Sequence, residues 1–164
     1  MNNIILVGMP SCGKSTLGRI LAKELGYGFL DTDEVIIRQN GCPLRDILDA
    51  QGVDGFIRVE EASVCTVNAE NTVIATGGSV VYSEKAMAHL KAMGRVVYLQ
   101  LSFDEMERRL GDLHARGVAI APGSTLMDLY NERIPLYEKY ADIIVPIRDG
   151  NGVRQSVEFL KSKL

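Results

Sequence analysis

The chain has 164 residues, enough for one domain with a full core. Hydrophobic residues make up 46%, charged residues 24%, and the net charge is -3; this excludes a disordered chain and argues against a nucleic-acid binder, whose phosphate contacts need a basic surface. Cys12, Cys42 and Cys65 are widely spaced without a C-x-x-C, which argues against a disulfide framework or zinc site and fits a reducing cytoplasm; no apolar stretch is long enough for a signal peptide or a membrane span.

Strand-like runs alternate with helical patterns along the chain. Ile4–Val7 reads as a buried strand, and Leu17, Ile20, Leu21 and Leu25 follow at helical spacing. Tyr27–Leu30 is a second strand, ended by Asp31. Residues 33–67 read as helical, broken near Asn40–Pro43 and Gln51–Val53. Thr72–Ala75 is a third strand, closed by Gly77 and Gly78, and Arg95–Leu101 is a fourth. Ser102 suits the N-cap of the next helix, with Glu105 three residues on. Gly111–Gly123 lacks periodicity and reads as a loop. Residues 125–140 read as helix, Ile143–Val145 as a fifth strand and Val153–Leu164 as a closing helix. Such alternation predicts a single α/β domain with a parallel sheet covered on both faces.

Gly8-Met9-Pro10-Ser11-Cys12-Gly13-Lys14-Ser15 matches G-x-x-x-x-G-K-[ST] between a strand and a helix. In that context the backbone N–H groups and the helix N-terminus form a cradle for phosphates. Lys14 is expected at the β- and γ-phosphates of ATP, and the Ser15 hydroxyl on Mg²⁺. Gly8, Ser11, Cys12, Gly13 and Thr16 complete the predicted nucleotide cradle. The chain has no N-K-x-D for guanine, and its D-x-x-G match at Asp49–Gly52 lies on a helical stretch, so a GTPase is not indicated. A helicase or motor domain needs a longer chain. A compact small-molecule kinase remains.

Asp31-Thr32-Asp33 stands at the carboxyl end of the second strand, where ligands bind in open α/β sheets. Two aspartates there can divide the holding of a Mg²⁺-bound water from acceptance of the proton of an attacking hydroxyl. Either also suits a helix N-cap. Gly77-Gly78-Ser79 can bind an anionic or hydroxylated substrate, and equally reads as a plain strand-to-helix turn. Arg108 and Arg109 close a helix before the irregular segment, and Arg116 lies within it, where an arginine can neutralise charge on a transferring phosphoryl.

Together these pieces resemble the shikimate kinase family over nearly the whole chain. The elements that carry the resemblance are Gly8–Thr16, Asp31-Thr32-Asp33, Phe56 with Glu60, Gly77-Gly78, Arg116, and Arg133 before Pro135-Leu136-Tyr137. The resemblance implies a three-layer, nucleoside-monophosphate-kinase-like P-loop kinase fold. Its five parallel strands take the order 2-3-1-4-5, with an acceptor-binding helical region at about 33–62 and a lid at about 111–123. It also implies ATP-dependent phosphorylation of shikimate to shikimate 3-phosphate, a step of aromatic amino acid biosynthesis, by a cytoplasmic monomer using Mg²⁺.

By the same resemblance Asp33 positions or deprotonates the acceptor hydroxyl, and Asp31 holds a water on the metal. Arg109 and the segment Pro146–Asn151, Arg148 included, border adenine. Arg116 closes over the phosphates, and Arg133 pairs with the acceptor carboxylate. Three positions depart from the family pattern. Ile57 stands where the family has arginine, with Arg58 next door; Ser79 replaces a third glycine; and Arg116-Gly117-Val118-Ala119 replaces R-P-L-L. These put Ile57, Arg58, Gly77, Gly78 and Ser79 in the predicted acceptor pocket and lead to the expectation of weaker shikimate binding. The alternatives are a kinase of the same fold for a different hydroxylated carboxylate or polyol, and a nucleotide-binding module without turnover.

Overall fold

The computed structural model describes residues 2–110, 118–147 and 152–164. Its strands are β1 (Asn3–Val7), β2 (Gly28–Asp31), β3 (Thr72–Ala75), β4 (Gly94–Leu101) and β5 (Ile143–Ile147). Its helices are α1 (Lys14–Leu25), α2 (Thr32–Asn40), α3 (Leu44–Val64), α4 (Glu84–Met93), α5 (Phe103–Arg109), α6 (Leu126–Tyr140) and α7 (Val153–Lys163). All strand pairs are parallel and the order is β2-β3-β1-β4-β5, as the resemblance implies. β1 lies in the middle with every residue buried, which requires cover on both faces. On one face α1 packs with α7; on the other α4 and α6 pack against β4, with α3 beside α4.

Local chemistry explains most of the boundaries. Asp31 caps α2, its carboxylate accepting from the Asp33 N–H at 2.9 Å. Ser102 caps α5 by accepting from the Glu105 N–H at 3.2 Å. The helical region after Asp33 breaks at Gly41 and kinks at Gly52 (φ 72°), where the sequence places its two interruptions. Asp49–Gly52 therefore lies on a helix and forms no strand-end switch. β5 runs through Pro146 to Ile147, beyond the predicted end at Val145. It is an edge strand, where a residue without an N–H is tolerated. α4, capped by Ser83, fills the connection between β3 and β4.

The main core surrounds β1, β3 and β4. A smaller cluster of Ile36, Ile47, Phe56 and Ala119 joins α2 and α3 to the start of the segment after residue 117. It holds the helical region against the carboxyl ends of the strands.

Candidate active site

The turn from β1 into α1 is built for an anion. Gly13 sits in the left-handed region (φ 93°) as the N-cap of α1 without a side-chain cap, so the first N–H groups of the helix keep their donors for a ligand. Ser11 also has positive φ (65°). Lys14 folds back across the loop and donates to the carbonyls of Gly8 and Met9 at 2.7 and 3.0 Å. Its ammonium is thus held over the cradle by loop carbonyls rather than by a carboxylate. Cys12 is buried, and its thiol sits beneath the loop, accepting from the Lys14 ammonium at 3.6 Å. Arg109 reaches the loop from α5, donating to the Ser11 carbonyl at 3.3 Å and to Glu105 at 2.7 Å.

A cavity of about 360 Å³ opens from this loop. Ser11, Gly13, Lys14, Ser15 and Thr16 line one end; Asp31, Asp33 and Gly77–Ser79 line the middle; Phe56, Glu60 and Arg133 line the far end under Val118 and Ala119. The Ser15 hydroxyl donates to Asp31 Oδ2 at 3.0 Å. Two hard oxygens side by side at the head of a phosphate cradle suit Mg²⁺, which keeps most of its ligands as water and phosphate. One Asp31 oxygen caps α2, and the other stands beside Ser15, where a metal ligand would have to be.

Asp33 reaches about 6, well above the ordinary aspartate value. Burial raises it first and the Asp31 carboxylate next, while Lys14 pulls it back and Glu34 adds to the rise. Arg133 is almost fully buried. It donates to the Ala119 carbonyl at 2.7 Å and to the Tyr82 hydroxyl at 3.3 Å, which fixes the guanidinium. Tyr137, one turn on in α6, donates to the Gly78 carbonyl at 2.6 Å and holds the glycine turn. A Cβ on Gly78 would lie 2.8 Å from Arg133 Nη1, so only glycine lets the arginine approach.

Glu60 is buried, with its carboxyl raised to about 7 by loss of solvation. The sequence pointed to it only through its spacing from Phe56.

This geometry has close counterparts. The profile of the shikimate kinase family matches residues 10–161. The shikimate kinase of Pseudomonas entomophila is 40% identical over 88% of this chain and 86% of its own length. That of Haemophilus influenzae is 36% identical over 96% and 92%. The chain belongs to the shikimate kinase family. Among solved structures, the shikimate kinase of Aquifex aeolicus superposes with a TM-score of 0.82 at 28% identity, covering 98% of this chain and 94% of that one. The shikimate kinase of Acinetobacter baumannii in complex with shikimate gives 0.80 at 28%, over 99% and 92%. As a shikimate kinase family member the chain is a small-molecule kinase, a phosphotransferase that uses ATP with Mg²⁺.

Two sequence expectations for the shikimate kinase pocket are corrected. Neither Ile57 nor Arg58 lines the cavity. Beyond the Gly52 kink, Phe56 and Glu60 lie one turn apart and share the face that lines it. Each helical step rotates a side chain by about 100°, which leaves Ile57 half-buried to one side and Arg58 exposed. Ser79 is in the pocket but buried, its hydroxyl spent on Glu60 at 2.7 Å. Arg116 and Arg148 lie outside the described residues, as does the first half of the expected lid. Val118 and Ala119 from its second half are buried over the acceptor end. No described helix is long and apolar enough to cross a membrane.

Proposed function

We propose that this chain transfers the terminal phosphoryl group of ATP to a hydroxyl of a small hydroxylated carboxylate. The acceptor to which the family points is shikimate, giving shikimate 3-phosphate in aromatic amino acid biosynthesis. One observation carries the reading: a single cavity runs from the phosphate loop, past Asp33, to the buried guanidinium of Arg133. An acceptor anchored there by its carboxylate presents a hydroxyl to Asp33 and to the phosphate end together.

The described residues take their roles from position, and those of Arg116 and Arg148 are carried over from the family resemblance. The loop N–H groups and Lys14 hold the phosphates. Ser15 and Asp31 would hold Mg²⁺, which would supply neutralising charge to the phosphates. Asp33, at about 6, is mostly ionised at neutral pH yet basic enough to accept the hydroxyl proton. Arg133 orients the acceptor, and Arg109 borders the adenine side with the segment containing Arg148. Arg116 closes over the phosphates from a lid at about 111–123, and residues 33–62 form the acceptor-binding region. The family resemblance further suggests that the enzyme acts as a monomer. It acts in the cytoplasm, which suits its free cysteines.

A second reading, a kinase of a different hydroxylated carboxylate or polyol, is favoured by the acceptor end, where Arg133 is the one cation among the described lining residues. A binding module without turnover has no use for Asp33 beside Lys14. Acceptor-dependent ADP release over a panel of hydroxy acids and polyols separates these. Shikimate turnover with a phosphorylated product supports the first reading. Turnover of another acceptor alone supports the second. No turnover of any acceptor overturns both.

A further inference from the structure

The buried guanidinium of Arg133 is held by two neutral groups. Its Nε donates to the Tyr82 hydroxyl at 3.3 Å and its Nη2 to the Ala119 carbonyl at 2.7 Å. A buried charge with neutral partners is left to pair with an anion, which the acceptor's carboxylate supplies in the reading above. The two holders differ in kind. Ala119 belongs to the segment assigned as the lid, whereas Tyr82 stands on the frame of the pocket. Val80–Tyr82 form a short 3-10 turn that continues the glycine turn. The Val80 N–H donates to the Gly77 carbonyl at 3.3 Å and the Tyr82 N–H to the Ser79 carbonyl at 3.1 Å, so the ring is carried by the same backbone that forms the pocket floor.

The Tyr82 ring also lies against the guanidinium, whose carbon is 5.3 Å from the ring centroid, within the range of a cation–π contact. A hydroxyl on Nε and a ring against the face fix the direction and the plane of the fork. Nη1 is then left at the bare face of Gly78, where a Cβ would stand 2.8 Å away. Gly78 and Arg133 line the cavity and Tyr82 does not, so Tyr82 acts on the acceptor only through the arginine. Burial pushes the Tyr82 phenol up, Arg133 draws it back, and Glu132 adds to the rise. The phenol stays neutral, and the guanidinium keeps its charge for the acceptor. Resting on the reading that Arg133 receives the acceptor's carboxylate, we propose that Tyr82 is the positioning residue that sets the Arg133 fork for that carboxylate before the acceptor binds. Without it the long arginine side chain must give up its rotamer freedom on binding, and the lost preorganisation appears in KM for the acceptor.

Tyr82→Phe removes the hydroxyl and keeps the ring; Tyr82→Leu removes both. The acceptors to compare are shikimate and its methyl ester, which keeps the hydroxyls but has no charge to pair with Arg133. The wild type should favour shikimate in kcat/KM by roughly 10- to 150-fold, the range of a hydrogen bond to a charged group. Tyr82→Phe should raise KM for shikimate by roughly 2- to 12-fold, and Tyr82→Leu by more. KM for ATP and kcat/KM for the ester should stay within about 2-fold of wild type. In an Arg133→Lys background, which has no fork to set, Tyr82→Phe should change shikimate kcat/KM by less than about 2-fold. An unchanged KM for shikimate in the folded Tyr82 variants overturns the proposal, and Tyr82→Phe decides alone if the leucine variant does not fold. A parallel loss with the ester and with ATP, or full additivity with Arg133→Lys, overturns it too and leaves the carboxylate reading of Arg133 standing. Equal kcat/KM for shikimate and its ester in the wild type, or turnover of neither, removes that reading and this inference with it.

Discussion

Glu60→Gln tests the electrostatics of the pocket without reference to catalysis. The glutamine keeps the shape and can still accept from Ser79, but it cannot ionise. The Glu60 carboxyl stands at about 7 in the fold against 4.5 in an unsolicited peptide-like environment, chiefly through burial, with Asp33 adding to the rise and Ser79, Arg133 and Lys14 opposing it. A carboxyl raised by folding holds its proton longer in the native state than in the unfolded chain. Its stability contribution is therefore intact below about pH 4.5 and is lost as pH rises through about 7. The difference corresponds to about 3 kcal/mol. For a chain of this size that is roughly 6–12 °C in Tm. Urea unfolding of wild type and Glu60→Gln, without ligands, should be measured from pH 4.5 to 8. The wild type should lose about 3 kcal/mol relative to the variant over that range. Asp33, raised to about 6, declines in both proteins, so the comparison reports Glu60 together with its coupling to Asp33. Parallel stability curves would refute the claim that Glu60 is driven toward neutrality by its burial.

Three further outcomes are expected. Lys14→Met should lower kcat by about 10²–10³ through lost phosphate neutralisation with little change in Tm, since Lys14 bonds only its own loop and packs in no core; wild-type turnover in a folded variant defeats the phosphate-loop assignment. Asp33→Asn should lower kcat about 10²-fold and abolish the loss of kcat/KM that the wild type shows as pH drops through about 6, while ATP affinity changes little; an unchanged acid limb assigns it to another group. Arg58→Ala, on the exposed side of α3 and outside the cavity, should leave shikimate kcat/KM within about 2-fold; a large loss would mean that Arg58 turns into the pocket when the acceptor binds.

The sequence by itself determined the strand–helix alternation, the parallel sheet and the phosphate cradle, because each rests on local chemistry. Periodicity, the glycines of the loop and the caps at Asp31 and Ser102 act within a few residues of themselves. Motif spacing carried Asp31, Asp33, Gly77 and Gly78 to one sheet edge, since every parallel strand delivers its carboxyl end there, and Arg133 joins them from the middle of α6. The extension of β5 through Pro146 needed the knowledge that this strand lies at an edge. α4 is absent from the elements predicted above, although Ser83 suits an N-cap and Ala86, Leu90 and Met93 recur at helical spacing.

Only the tertiary structure decided which side chains face the acceptor. Position 57 was the natural candidate by comparison with the family, but the Gly52 kink sets the rotation of the rest of α3, and rotation selects Phe56 and Glu60. Ser79 read as a lost glycine until the fold brought it within 2.7 Å of a carboxyl nineteen residues earlier. The raised carboxyls of Glu60 and Asp33 have the same origin. Burial is a property of the assembled chain, and no spacing in the sequence records how much water the packing of α2, α3 and α6 removes.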